Sequence, residues 1–367
     1  MSGINILHVT EDYSLSSGGL RTVINDLNNH LNSVKNINSY IISSKEEKGD
    51  NIELVKNAID QTWLYSSQWN EKFIEITNSY RIDVIHIHGV WMYPQYIAAK
   101  FAVKNKIPFI ISSHGMYEPW LWTKGRLKKN LYFKFLVKSL FSKASRIHAI
   151  TNPEKNNLKK LFPQNEIIEI PNLINFKKIP ENKYYSKEKY LLYLGRLHEK
   201  KGIELLIRSF SKLNDDSLIL KIAGGFNEYK IELDKLIEKL SLQSRVQFIG
   251  LVTGEKKAKL FKDAFLFVAP SYSEVIGMVN LEAALQKTPV ITTFQTGIKK
   301  EWDENGGILI NPNELELIGA LKKALSWTRK ERDDCGEKLF SFVKHNYSWE
   351  YRLKDWIACY SDIIKEK

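Results

Sequence analysis

Cysteine is nearly absent: Cys335 and Cys359 stand alone in 367 residues, without metal-ligand spacing, so neither a disulfide framework nor a cysteine-held metal is expected. No apolar run approaches the roughly 18 residues that a bilayer span requires. The stretch Met1–Thr10 lacks a basic segment followed by a long apolar one, so no signal peptide is expected. The Gly-x-Gly-x-x-Gly fingerprint of dinucleotide binders is missing too, which removes the main support for hydride transfer. Acids are the minority charge, 42 against 54 Lys and Arg, and the net charge of +12 implies anionic partners. The rest is ordinary globular composition, 26% charged and 43% hydrophobic, on a chain long enough for two domains. A cytoplasmic protein is expected.

Short apolar runs alternate with helix-length segments, the βαβ signature of parallel sheets in an α/β protein. The first series has strands at 5–10, 39–43, 83–89, 108–113, 146–150 and 167–170. Residues 174–189 turn polar, charged and proline-bearing and read as a linker. A second series starts at Tyr190 and runs to about residue 345, and the amphipathic stretch 346–367 can pack back on a domain. Two Rossmann-like domains, 1–173 and 190–345, follow from this reading.

The apolar run Phe265–Ala269 leads into a polar loop and then a helical pattern in which Met278, Leu281 and Leu285 recur at three- and four-residue spacing. Glu274 therefore belongs to a loop at the carboxyl end of a strand, and Glu282 lies about one turn inside the next helix. Ligands of open α/β sheets bind at that edge. Two carboxylates there would repel a phosphate, so they suit sugar or ribose hydroxyls, with phosphate left to backbone N–H groups and cations. As plain structure, Glu274 would cap the helix and Glu282 would be solvated.

Cations stand at the matching position after the first strand of the second series, in Gly195-Arg-Leu-His-Glu-Lys-Lys-Gly202. Arg196 offers a planar fork and Lys201 a mobile point charge, two ways of holding phosphate oxygens. In the first half, Gly18 and Gly19 open a helix after the first strand, where backbone can approach a ligand closely. His88 and His114 each sit where a strand emerges into a loop, and either can serve as a satisfied structural side chain. Between Lys124 and Arg146 eight basic residues alternate with bulky apolar ones and no acid intervenes. The segment Trp120–Lys143 reads either as an interfacial anchor for anionic lipid or as a surface helix with its aromatics turned to the core.

Taken in order, Ser17–Val23, Ser113–Trp120, Gly195–Gly202, Gly250–Glu255 and Ser273–Ala283 resemble the motifs of retaining glycosyltransferases of family 4, the GT-B type of bacterial polysaccharide and glycolipid synthesis. Glu274 and Glu282 match the family's pair of glutamates separated by seven residues, whereas Val275-Ile276 replaces the usual Gly-Phe and leaves the sugar open. The resemblance implies two domains facing across a cleft, with the C-terminal helix on the N-terminal domain. It implies that Arg196 and Lys201 neutralise a donor diphosphate and that Glu282 binds the ribose. Glu274 would hold the transferred sugar, His114 would reach it from the first domain, and Gly18, Gly19, Gly277, Met278 and Val279 would bring backbone to the donor. No residue pair declares itself as nucleophile and acid/base, which fits departure and attack on one face with retained configuration.

The expected partners are a nucleotide-sugar donor and a glycan or lipid-linked acceptor; no metal and no nucleic acid are expected. The protein would be cytoplasmic or peripheral on the inner face of the membrane. A sugar-nucleotide epimerase of the same fold, a basic nucleic-acid-binding protein and a catalytically dead homologue are the competing readings.

Overall fold

The computed structural model describes residues 3–14, 17–45, 52–55, 63–122, 125–175 and 188–366. Most of the expected linker, 176–187, and Lys124 of the basic stretch lie outside them. Two compact units emerge, one of Met1–Leu173 with Arg352–Lys367 and one of Ile174–Tyr351, so the division falls inside the last helix, Trp349–Lys365.

In the first unit seven parallel strands form one sheet: β1 (Ile4–Val9), β2 (Ile37–Ser43), β3 (Ile52–Leu54), β4 (Val84–His88), β5 (Phe109–Ser112), β6 (Arg146–Ala149) and β7 (Ile167–Glu169). Their order is β3-β2-β1-β4-β5-β6-β7. Continuous apolar runs form these strands because helices cover the sheet, and all five residues of β4 are buried. The short β3 escapes the sequence pattern: three half-buried residues at a sheet edge carry too little periodicity.

The second unit holds β8 (Tyr190–Leu194), β9 (Ile219–Ala223), β10 (Val246–Gly250), β11 (Leu266–Ala269), β12 (Val290–Thr293) and β13 (Ile308–Ile310), in the order β10-β9-β8-β11-β12-β13. Both sheets reverse direction of growth beside their first strand, between β1 and β4 and between β8 and β11. Those are the switch points at which loops from neighbouring strands diverge and leave room for a ligand. The loop with Gly18 and Gly19 follows β1, that with Arg196 and Lys201 follows β8, and that with Glu274 follows β11.

The aromatic basic stretch does not form one regular helix. A 3-10 turn at Pro119–Trp122 precedes an α segment at Arg126–Tyr132, a π turn at Phe133–Val137 and a final α turn at Lys138–Phe141. Phe133, Val137 and Phe141 enter the core, while Leu127, Leu131 and Phe135, at four-residue spacing, stay 49–73% exposed. One face thus packs on the core and the other lies open. Among the described residues no helix is long and apolar enough to cross a membrane.

Candidate active site

Gly202 shapes the cation loop of the second unit. Its φ of +67° turns the chain from the 3-10 turn Glu199–Lys201 into the helix Ile203–Phe210, and a Cβ there would stand 2.2 Å from the Pro270 carbonyl oxygen. The turn is thereby seated on the end of β11, and the Tyr272 amide donates back to the Lys200 carbonyl at 2.8 Å. Lys201 lands beside Glu274, its Nζ 2.8 Å from Oε2, with both side chains mostly buried. Glu274 Oε1 accepts a 2.7 Å bond from Ser271 Oγ, and the Glu274 amide donates to the Gln295 carbonyl. Two side chains thus hold the carboxylate, and a third bond holds the backbone that carries it.

Arg196 is exposed, and among the described residues it makes no ion pair. It shares a neighbourhood with Glu274 through Tyr193, whose hydroxyl donates to the Arg196 carbonyl at 3.1 Å. Burial first, and then the charge of Glu274, hold the Tyr193 phenol well above its ordinary range, with Arg196 acting in the opposite direction. Arg196, Lys201 and Glu274 therefore converge on one sheet edge, as two cations and an acid.

Glu282 lies at the fifth position of the helix Met278–Leu285, where Lys257 Nζ stands 2.5 Å from Oε2. That contact is an ion pair without hydrogen-bond alignment, since Glu282 Oε2 has no hydrogen-bond partner. Lys257 is a partner of Glu282 that sequence reasoning missed, because an isolated lysine in a basic, amphipathic helix (Gly254–Asp263) carries no spacing signal. At the N-terminus of the Glu282 helix the Gly277 and Met278 amides donate to the Thr296 and Ile276 carbonyls, and the Val279 amide keeps no partner among the described residues.

In the first unit Gly18 has φ of +64° and caps the helix Gly19–Asn32, and a Cβ on either glycine would meet nothing within 4 Å. Only Gly18 needs to be glycine for its backbone; at Gly19 the space is simply open. His114 follows β5 with φ of +49°, a left-handed conformation that a side chain rarely adopts. Buried Glu154 holds that turn: Oε1 accepts from Ser113 Oγ at 2.6 Å and from the Gly115 amide at 2.7 Å, and Oε2 accepts from the Ile150 amide at 2.8 Å. Glu154 gave no sign in the sequence, where Thr151-Asn-Pro-Glu154 reads as a helix start and nothing more.

Behind His114 lie four more histidines. His8, His86, His88 and His148 are all buried on one face of the sheet, where Trp356 of the last helix packs on His86 and His148 and Tyr360 on His86. Burial lowers His8 and His114 to about 3 and His148 to about 4, and burial followed by neighbouring imidazoles holds His86 and His88 well below the usual histidine range. All five are neutral at pH 7.

Two family profiles agree with this geometry along most of the chain. Glycosyltransferase Family 4 matches residues 17–178, and Glycosyl transferases group 1 matches residues 175–340. The chain belongs to glycosyltransferase family 4. Among its relatives is the alpha-monoglucosyldiacylglycerol synthase of Streptococcus pneumoniae, 25% identical over 302 residues, 75% of this chain and 66% of that protein. Another is the GDP-mannose:cellobiosyl-diphosphopolyprenol alpha-mannosyltransferase of Xanthomonas oryzae, 23% identical over 77% of this chain and 74% of that one. An Anabaena protein solved with UDP-glucose shares the fold at a TM-score of 0.71 and 17% identity, over 98% of this chain and all of that one. This glycosyltransferase is thus a GT-B enzyme that transfers sugar from a nucleotide-sugar.

Proposed function

We propose that the enzyme is a retaining glycosyltransferase acting on a hydroxyl of a glycan or lipid-linked glycan at an anionic membrane surface. The observation that carries the donor half is the Lys201–Glu274 pair beside Arg196. As a nucleotide-sugar binds, Lys201 exchanges the carboxylate for diphosphate oxygens, joined by the Arg196 guanidinium, and Glu274 turns to the hydroxyls of the sugar. Lys257 in the same way releases Glu282 to the ribose, and the unpartnered Val279 amide donates to phosphate. These two cations stabilise the charge that builds on the departing diphosphate without a divalent metal. The leaving oxygen takes the acceptor proton while the acceptor oxygen attacks the anomeric carbon on the same face, so the glycosidic bond to phosphate breaks as the new one forms.

The acceptor half rests on the exposed face of Leu127, Leu131 and Phe135. Lys128 and Lys134 flank it, and both are exposed. Apolar side chains with lysines between them suit the headgroup region of an anionic bilayer. The two relatives named above, with a diacylglycerol glycoside and a polyprenyl diphosphate glycan in their names, support a lipid-borne acceptor. The test is incubation with α-linked UDP- and GDP-sugars and a lipid-linked glycan extract, with EDTA present. Acceptor-dependent nucleotide release and an α-configured product by NMR are expected; a β-configured product or transfer abolished by EDTA would overturn this reading.

A further inference from the structure

The five histidines divide into two hydrogen-bonded chains, and the first has a fixed direction. His148 Nε2 lies 2.7 Å from the Ile170 carbonyl oxygen, which only accepts, so a neutral His148 carries its proton on Nε2 and its Nδ1 accepts. Ser112 Oγ, 2.8 Å away, must then donate to His148 Nδ1 and accept from His86 Nε2 at 2.7 Å. That leaves His86 Nδ1 to accept from the Tyr360 hydroxyl, also at 2.7 Å. Every polar atom of this chain is satisfied.

The second chain leads to the candidate site. His8 Nδ1 lies 2.9 Å from His88 Nε2, and His88 Nδ1 lies 2.9 Å from His114 Nε2. Only His114 Nδ1 is left for a substrate. A neutral imidazole has one N–H, so both bonds of the chain run in the same direction. If they run inward from His114, His8 ends with an N–H on Nε2, fully buried and without a partner. If they run outward, His8 Nε2 is a bare lone pair. Buried donors without partners are rarer than buried acceptors without them.

We infer that His8 and His88 are positioning residues that lock His114 in its Nδ1–H tautomer, so that its one free ring nitrogen is a hydrogen-bond donor. The role of that donor rests on the proposed function; the tautomer does not. With Nε2 held by His88, and the Ser113 hydroxyl and Gly115 amide on either side both held by Glu154, neither the ring nor the left-handed turn is free to reorient. His8, His86 and His88 also come within the mutual reach of metal ligands, their nitrogens lying within 4.8 Å of one another. Five of those six nitrogens already have hydrogen-bond partners, and a metal would have to break one bond of His86 and one of His88.

Two-dimensional 1H–15N NMR of histidine-labelled full-length enzyme reads the tautomers directly. The expected result is a protonated Nδ1 and an unprotonated Nε2 for His8, His88 and His114, with the opposite pattern for His86 and His148. His114 protonated at Nε2 overturns the inference, as does stoichiometric zinc bound through these rings. A His88→Phe variant should show averaged His114 signals and lose roughly tenfold in kcat, about one net hydrogen bond, with the donor KM little changed. If no sugar donor is found, the tautomer result stands and only the proposed function fails.

Discussion

Lys201 Nζ stands 2.8 Å from Glu274 Oε2, and the two residues leave neighbouring parallel strands, β8 and β11. The pair keeps a cation and a carboxylate mutually neutral until a ligand supplies a better partner for each. Lys201→Ala and Glu274→Ala should each lower sugar transfer on the order of 10²-fold or more while the fold persists. Steady-state turnover of the purified variants, with circular dichroism as the fold control, measures this. Near-wild-type turnover in either would remove that residue from the reaction.

Glu154 should matter through the backbone of His114. Glu154→Ala removes the acceptor of three buried donors at once, and the expected loss of stability is about 3 kcal/mol or more. Denaturant unfolding checks the value, and a loss below about 1 kcal/mol would mean that water replaces the carboxylate.

Acid should weaken the first unit before carboxylates protonate. The five histidines are neutral when folded, whereas in the unfolded chain they take up protons below about pH 6.5. The unfolded state then binds more protons than the native one, so stability falls as pH drops from 6.5 towards the folded values, by ~1.4 kcal/mol per pH unit for each histidine. Glu11 and Glu118, whose carboxyls burial pushes up, act in the opposite sense but are two against five. Urea midpoints at pH 7 and pH 5 decide it, and equal midpoints would contradict the neutral cluster.

Membrane contact should depend on the exposed face of the π-containing helix. Phe135→Ser combined with Lys128→Gln and Lys134→Gln is expected to lose flotation with liposomes containing anionic lipid. Lys129 is left in place because its Nζ donates to the Leu121 carbonyl at 2.6 Å. Equal flotation of wild type and variant would rule this face out.

The alternating sheet architecture was legible because apolar runs such as Leu266–Ala269 are buried and bounded by turn residues, and Glu274 and the two cations stood at strand ends that periodicity alone could locate. Partners across the fold were not legible. Lys257 meets Glu282 from another helix, Glu154 reaches back over 39 residues to Gly115, and the five histidines come from three strands and one loop. His8 and His86 looked like ordinary strand positions, since nothing local distinguishes a lone buried imidazole from a networked one. The two faces of residues 126–141 were also hidden, because a π turn shifts the helical period midway.

The most direct test compares binding of a nucleoside diphosphate with binding of the corresponding nucleotide-sugar, by calorimetry, for wild type, Lys201→Ala and Glu274→Ala, after a thermal-shift screen of UDP-, GDP- and ADP-sugars has chosen the base. Lys201→Ala should weaken both ligands alike, whereas Glu274→Ala should spare the nucleoside diphosphate and abolish the added affinity of the sugar. Unchanged affinities in Lys201→Ala, or a Glu274→Ala variant that still prefers the nucleotide-sugar as wild type does, would contradict the assignment of cation to diphosphate and acid to sugar.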